Sequence, residues 1–221
     1  MSLVFERKGY GREKKSLYFA SHYVGYYSCF FSIWLLTKLD RQRKPIQITN
    51  GTVLSIPNKI MPFKLIDEDG KAFTNANLKG HWSMLFFGFT RCPMMCPKTL
   101  SELNKAYLNL EQQKLVKYLP QIIFVSVDPD HDTPSVIKKY VQSFNVNFIG
   151  ITGTQKQIKN FTKRLGIVYA KSIKSDGSDY DINHSGAILI INPDGKWRAL
   201  LNFPHKSDII VKDFVIIQKN A

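Results

Sequence analysis

The chain has 221 residues, 44% of them hydrophobic and 22% charged, which suits one compact domain with a short extra segment and excludes a disordered or fibrous protein. The formal net charge is +14, with nine Lys/Arg against three Asp/Glu in residues 1–44 and 22 against 14 in the rest. No nucleic-acid module or basic stripe with aromatics at stacking spacing accompanies that charge, so nucleic acid is not an expected partner; the excess reads either as a solvated basic surface or as steering toward an acidic partner or anionic lipid.

After a basic tail (1–16), Leu17 to Thr37 carries no Lys, Arg, Asp or Glu, and 15 of its 21 residues are apolar, eight of them aromatic. At about 1.5 Å per residue such a helix matches the hydrocarbon core of a bilayer, so 17–37 is expected to be a transmembrane anchor. The competing reading is a buried amphipathic helix, because His22 and three serines interrupt the run. A cleaved signal peptide fits less well, since no small-x-small site follows. Five Lys/Arg precede the span and four closely follow it, a weak lean toward an inside N-terminus and an outside domain. Cys29, within the span, reads as a small apolar filler.

Residues 38–60 read as a linker with short extended pieces, and 61–221 as the folded domain. Asp69-Gly70 between alternating segments predicts a hairpin turn within Phe63 to Phe73. Ser83 to Phe89 is a short apolar run and predicts a buried central strand. Helical spacing follows from Pro97 to Lys117, then a β-branched strand from Gln121 to Val127. Thr133 or Asp132 is the expected cap of a helix that begins with Pro134 and ends near Phe144. A strand over Val146 to Ile151, a helix over Thr154 to Leu165, and strands over Ile167 to Lys171 and Ala187 to Ile191 come next; His184, just ahead of the last, is expected to start a strand. Asn192 to Gly195 is a turn, Trp197 to Asn202 a closing strand, and Ser207 to Ile217 a last helix. Alternating strands and helices with a late hairpin predict an α/β fold, a mixed sheet with helices on both faces.

The chemical signal is Cys92-Pro-Met-Met-Cys96-Pro97 where a central strand gives way to a helix. On a helix, residues four apart share a face at about 5–6 Å, close enough to grip one metal ion or to form a disulfide. A helix N-terminus favours thiolates, and thiolates select Cu(I), zinc or iron–sulfur. The plain alternatives are buried small hydrophobes or a structural disulfide; a redox pair would more familiarly have two intervening residues, and here there are three. Two ligands leave a metal undercoordinated, and the candidates for a third are the five histidines, with a Met94 or Met95 thioether as a lesser alternative. His22 falls in the apolar span, His81 at the far end of the central strand, His131 in an Asp-rich loop and His205 before the last helix. His184, in Asp181-Ile-Asn-His184-Ser185, is by itself no more than an ordinary loop histidine. Asp128, Asp130 and Asp132 read as turn formers and helix caps rather than a metal or docking cluster.

Three separated stretches, in order, resemble the Sco (SCO/SenC) family of copper-delivery proteins: Phe86 to Leu100 around the cysteines, Ser126 to Pro134, and Asn183-His184-Ser185 followed by Ile190 to Gly195. The resemblance spans about Met61 to Ile217. It implies a thioredoxin-like mixed β-sheet flanked by helices, with an N-terminal transmembrane helix. It implies one copper ion, Cu(I) or also Cu(II), held by Cys92, Cys96 and His184. It also implies delivery to the copper A site of cytochrome c oxidase subunit II, or reduction of that subunit's cysteines, with other copper chaperones or thiol reductants as further partners. The family pattern differs at Met94 (usually Asp), Arg91 (often His), Asn183 (commonly Asp) and His131 (frequently Arg). Those positions bear on Cu(II) preference and docking; the three ligands are all present.

Three functions compete: a copper metallochaperone, a thiol-disulfide oxidoreductase with Cys92 and Cys96 as its redox pair, and a thiol peroxidase on the same fold. A pure redox pair needs no distant histidine, and no peroxide-binding set accompanies the thiols. The expected location is a single-pass inner-membrane protein facing the periplasm, or the mitochondrial intermembrane space in a eukaryote. Glu6 and Glu13 interrupt any transit-peptide pattern and favour the bacterial case.

Overall fold

The computed structural model describes residues 45–173, 180–184 and 186–220, together with Trp34. The chain divides after Pro45, and the second unit, Ile46–Ala221, holds every element named below. The expected anchor over 17–37 lies, apart from Trp34, outside the described residues. Among the described residues no helix is long and apolar enough to cross a membrane.

Among the described residues ten strands and four α-helices follow in order: β1 (Gly51–Lys59), β2 (Lys64–Asp67), β3 (Ala72–Thr74), β4 (Ser83–Gly88), α1 (Met95–Gln112), β5 (Gln121–Ser126), α2 (Pro134–Gln142), β6 (Ile149–Thr152), α3 (Gln155–Arg164), β7 (Tyr169–Ile173), β8 (Tyr180–His184), β9 (Ile188–Ile191), β10 (Lys196–Leu201) and α4 (Ser207–Lys219). Eight strands form one sheet in the order β1-β10-β9-β4-β5-β6-β2-β3. The pairs β4–β5 and β5–β6 are parallel, and the others in it are antiparallel. β7 and β8 make a separate antiparallel pair.

The sheet divides the interior into two clusters because successive side chains of a strand point to opposite faces. Met84 and Phe86 of β4 join Ile122 and Phe124 of β5 under Leu100, Leu103 and Leu110 of α1 and Ile210, Phe214 and Ile217 of α4. Leu85 and Phe87 join Ile123 and Val125 on the other face, with Ile158 and Phe161 of α3. Each of these fully buried side chains contributes roughly 1.5–3 kcal/mol. In α1 the buried positions Cys96, Thr99, Leu100, Leu103, Ala106 and Leu110 recur every three or four residues, a stripe that the sheet covers.

The expected elements are present with shifted ends. Gly70 at φ 78° takes the left-handed turn between β2 and β3. α1 begins two residues before the expected Pro97, leaving that proline in the first turn, and stops at Gln112 rather than Lys117 because Lys114 turns left-handed at φ 49°. Thr133, not Asp132, caps α2, its hydroxyl accepting from the Val136 N–H. β6 starts at Ile149, since Val146 stays exposed. His184 ends a strand rather than starting one.

The expected linker also contains β1, which pairs with β10. The Thr49 and Asn50 N–H groups donate to the buried Asp213 carboxylate at 2.7 and 2.9 Å, and Arg198 Nη1 donates to the Leu54 carbonyl at 2.6 Å.

Candidate metal centre

Topology brings the three signature stretches to one edge of the sheet. β4 runs toward Gly88, and the thiol loop follows it. β5 is parallel to β4 with Gly88 opposite Ser126, so the Asp128–Asp132 loop leaves at the same end. β9 is antiparallel to β4 with Ile188 opposite Phe86, so the residues before β9, His184 among them, arrive there too. Ligand sites favour such an edge, where consecutive strands release their loops side by side.

Cys92 is half-buried, and Cys96, in the first turn of α1, is fully buried. Both are thiols. The Cys96 N–H, one of the helix N-terminal donors, donates to Cys92 Sγ at 3.4 Å. A hydrogen bond with Cys92, then burial, then the charge on Cys92 push the Cys96 thiol well up, against a backbone hydrogen bond with Phe89. Gly88 makes room for that inner sulfur, since a Cβ there would lie 2.7 Å from Cys96 Sγ.

His184 is placed by its backbone, opposite Tyr169 in the β7–β8 pair. Of the three expected ligands, Cys92 and Cys96 stand together; His184 arrives on a separate arm at the same edge. Among the described residues no three His, Cys, Asp or Glu side chains form a metal cluster. Met94 is 73% exposed at the N-cap of α1 and makes no side-chain cap bond. Met95 leans toward Gly186, its sulfur 3.2 Å from the position a Cβ would take there.

The aspartates do more than turn the chain. Asp132 Oδ1 accepts from Thr90 Oγ1 at 2.6 Å, and Oδ2 from Ser126 Oγ at 2.6 Å and the Thr90 N–H at 3.1 Å, which holds the thiol loop two residues before Cys92. Burial raises its carboxyl although these hydrogen bonds oppose it. Burial would also raise Asp128, but hydrogen bonds from Tyr180 and Lys171, the Lys171 charge and Arg91 outweigh it and hold that carboxyl below the usual range. His205, passed over as a loop residue, is buried with Nε2 2.6 Å from the Gly186 carbonyl. No local pattern marks it, because its partner is 19 residues away.

The arrangement offers two soft sulfurs at a helix N-terminus. Those donors suit a low-coordinate Cu(I).

The family model SCO1/SenC matches residues 55–217. A SCO2-like protein of Rickettsia prowazekii is 34% identical over 194 residues, covering 86% of this chain and 89% of the relative. The fold superposes on Arabidopsis thaliana ScoI, solved with copper bound, with a TM-score of 0.69 and 32% identity over 74% of this chain and all of that one. BsSco, described as a member of the Sco family of cytochrome c oxidase assembly proteins with a disulfide switch, matches with a TM-score of 0.59 and 25% identity over 79% of this chain and 99% of that one. With the thioredoxin-like mixed sheet and the thiol pair in place at its edge, the chain belongs to the SCO1/SenC family.

Proposed function

We propose that this protein is a copper metallochaperone that carries one Cu(I) on Cys92, Cys96 and His184 and passes it to the copper A site of cytochrome c oxidase subunit II. The observation that carries the reading is the convergence at one sheet edge of a thiol pair on a helix N-terminus and the arm bearing His184. Copper bound in the ScoI relative agrees with it. Two thiolates and one imidazole leave copper an open position, and an incoming protein thiolate or imidazole takes the ion by exchange. A single-pass anchor over 17–37, with the first part of the 38–60 linker as tether, would hold the domain at the membrane, facing the periplasm or the intermembrane space.

The half-buried Cys92 and buried Cys96 favour a second reading, thiol-disulfide exchange. The Cys92 thiolate attacks a partner disulfide and forms a mixed disulfide; Cys96, losing its proton, displaces the partner. The pair ends as a Cys92–Cys96 disulfide and the partner as two thiols, a transfer of two electrons and two protons.

The test uses the full-length chain in detergent, reduced, loaded with Cu(I) and desalted. About one copper per chain, weakened in His184→Ala and lost in Cys92→Ser/Cys96→Ser, supports the chaperone. No retained copper, with facile dithiol–disulfide cycling, leaves the oxidoreductase.

A further inference from the structure

We infer that Asp128 is a positioning residue: its buried carboxylate clips the β7–β8 hairpin to the thiol loop and so sets where His184 stands relative to Cys92 and Cys96. The inference rests on the copper reading of that site. A hairpin needs such a clip because it shares no ladder with the eight-stranded sheet, and two strands alone are marginally stable in water. Side chains must hold it, and beside the Gln155 Nε2 donor to Tyr169 Oη at 3.4 Å two contacts tie it down.

Ile182 is one, buried in the core face that also takes Tyr169 and Tyr180. Asp128, 0% exposed, is the other. Its Oδ1 accepts from Tyr180 Oη at 2.5 Å and from Lys171 Nζ at 3.1 Å. Its Oδ2 accepts from Arg91 Nη2 at 3.3 Å and lies 3.3 Å from His131 Nδ1. Lys171 belongs to β7 and Tyr180 to β8, so one carboxylate grips both strands. Arg91 is the residue before Cys92, so the same carboxylate grips the thiol loop. Tyr180 is four residues before His184 in one strand.

The surrounding contacts tighten the same joint. The Arg91 guanidinium and the Lys171 ammonium lie 5.0 and 4.4 Å from the Tyr180 ring centroid, within cation–π range. Tyr180 Oη is 2.6 Å from His131 Nδ1, Arg91 Nη2 is 3.2 Å from the same nitrogen, and Lys171 Nζ reaches Asp130 Oδ2 at 3.0 Å. A buried acceptor facing several donors is costly to break, because each donor left behind loses its partner. A helix-capping or turn role would need none of the contacts to the hairpin.

The test combines amide exchange with a double-mutant cycle in the full-length chain, using Tyr180→Phe and Asp128→Asn, each alone and with His184→Ala. In the copper-free protein, exchange at residues 169–173 and 180–184 should accelerate on the order of tenfold, while β4 and β9 stay protected. Cu(I) affinity, read by chelator competition, should fall about tenfold with His184 present and not change in the His184→Ala background, as expected of coupled residues. Unchanged hairpin exchange overturns the clip. Equal affinity loss in both backgrounds also overturns it, since the network would then act on the thiols or the whole fold. A wild-type chain that takes up no Cu(I) overturns the copper reading instead, and the exchange arm tells the two failures apart. Should Asp128→Asn fail to fold, Tyr180→Phe decides, because it removes a single hydroxyl.

Discussion

The two halves of the candidate site are held by different forces. The thiol half hangs from β4, paired on both sides within the sheet, and from α1, which buries a continuous stripe. Among the described residues the hairpin half has a ladder only with itself, and Ile182, the Gln155 bond to Tyr169 and the Asp128 network help tie it to the rest. Backbone pairing and apolar burial thus place the sulfurs, whereas a polar network places the arm carrying His184. On the proposed copper reading, that division would let the sulfurs keep hold of the ion while the arm carrying His184 is set by separate contacts.

The comparison breaks most completely at the sulfurs. Replacing both cysteines by serine should abolish Cu(I) retention, while His184→Ala should weaken it by more than the roughly 10–100-fold typical of losing an outer partner; copper analysis after desalting and chelator competition read these. The thiol pair also predicts a pH dependence. Cys96 holds its proton above the ordinary thiol range, and Cu(I) binding must displace it. Affinity should therefore rise with pH through the neutral range, by about tenfold per unit for each proton released. A flat profile from pH 6 to 8 would remove thiolate ligation from the account.

Gly88→Ala sharpens the thiol side. A Cβ there would meet Cys96 Sγ at 2.7 Å and Phe124 Cε2 at 2.9 Å. The variant should cost about 1–3 kcal/mol, seen as a lower Tm, and displace the inner sulfur. Asp128→Ala sharpens the other side. It leaves Tyr180, Lys171 and Arg91 without their shared acceptor, and denaturant titration should show a loss of about 1–3 kcal/mol with local exchange confined to the hairpin. The smallest effect belongs to salt. The Lys171–Asp130 pair is partly exposed, so raising ionic strength should loosen the hairpin by tenths of a kcal/mol, about 0.5 at most, and leave the thiol loop unchanged in exchange.

The same division decides what could be read from the chain alone. The strand–thiol–helix junction is local: an apolar run at Ser83 to Phe89, two cysteines and two prolines, then a helical stripe. Thr133 and Thr154 cap their helices by hydrogen bonds within three residues, so the helix starts were legible, though the first cap was left between Thr133 and Asp132. β1 was not, because its strand partner β10 lies well over 100 residues away, with Gly51 opposite Leu201 and Leu54 held by Arg198. The boundary at His184 was misplaced because β8 is defined by its pairing to β7 rather than by an apolar run. The role of Asp128 was hidden for a further reason: a carboxylate in an Asp-rich turn looks like a cap until Tyr180 and Lys171 fold onto it.

The most direct test of the central claim is X-ray absorption at the copper edge of the Cu(I)-loaded full-length chain and its His184→Ala variant. Two sulfurs and one imidazole nitrogen in the wild type, with the nitrogen lost in the variant, are the predicted result. An imidazole signal that survives in His184→Ala, or a sulfur-only shell identical in both proteins, would contradict it.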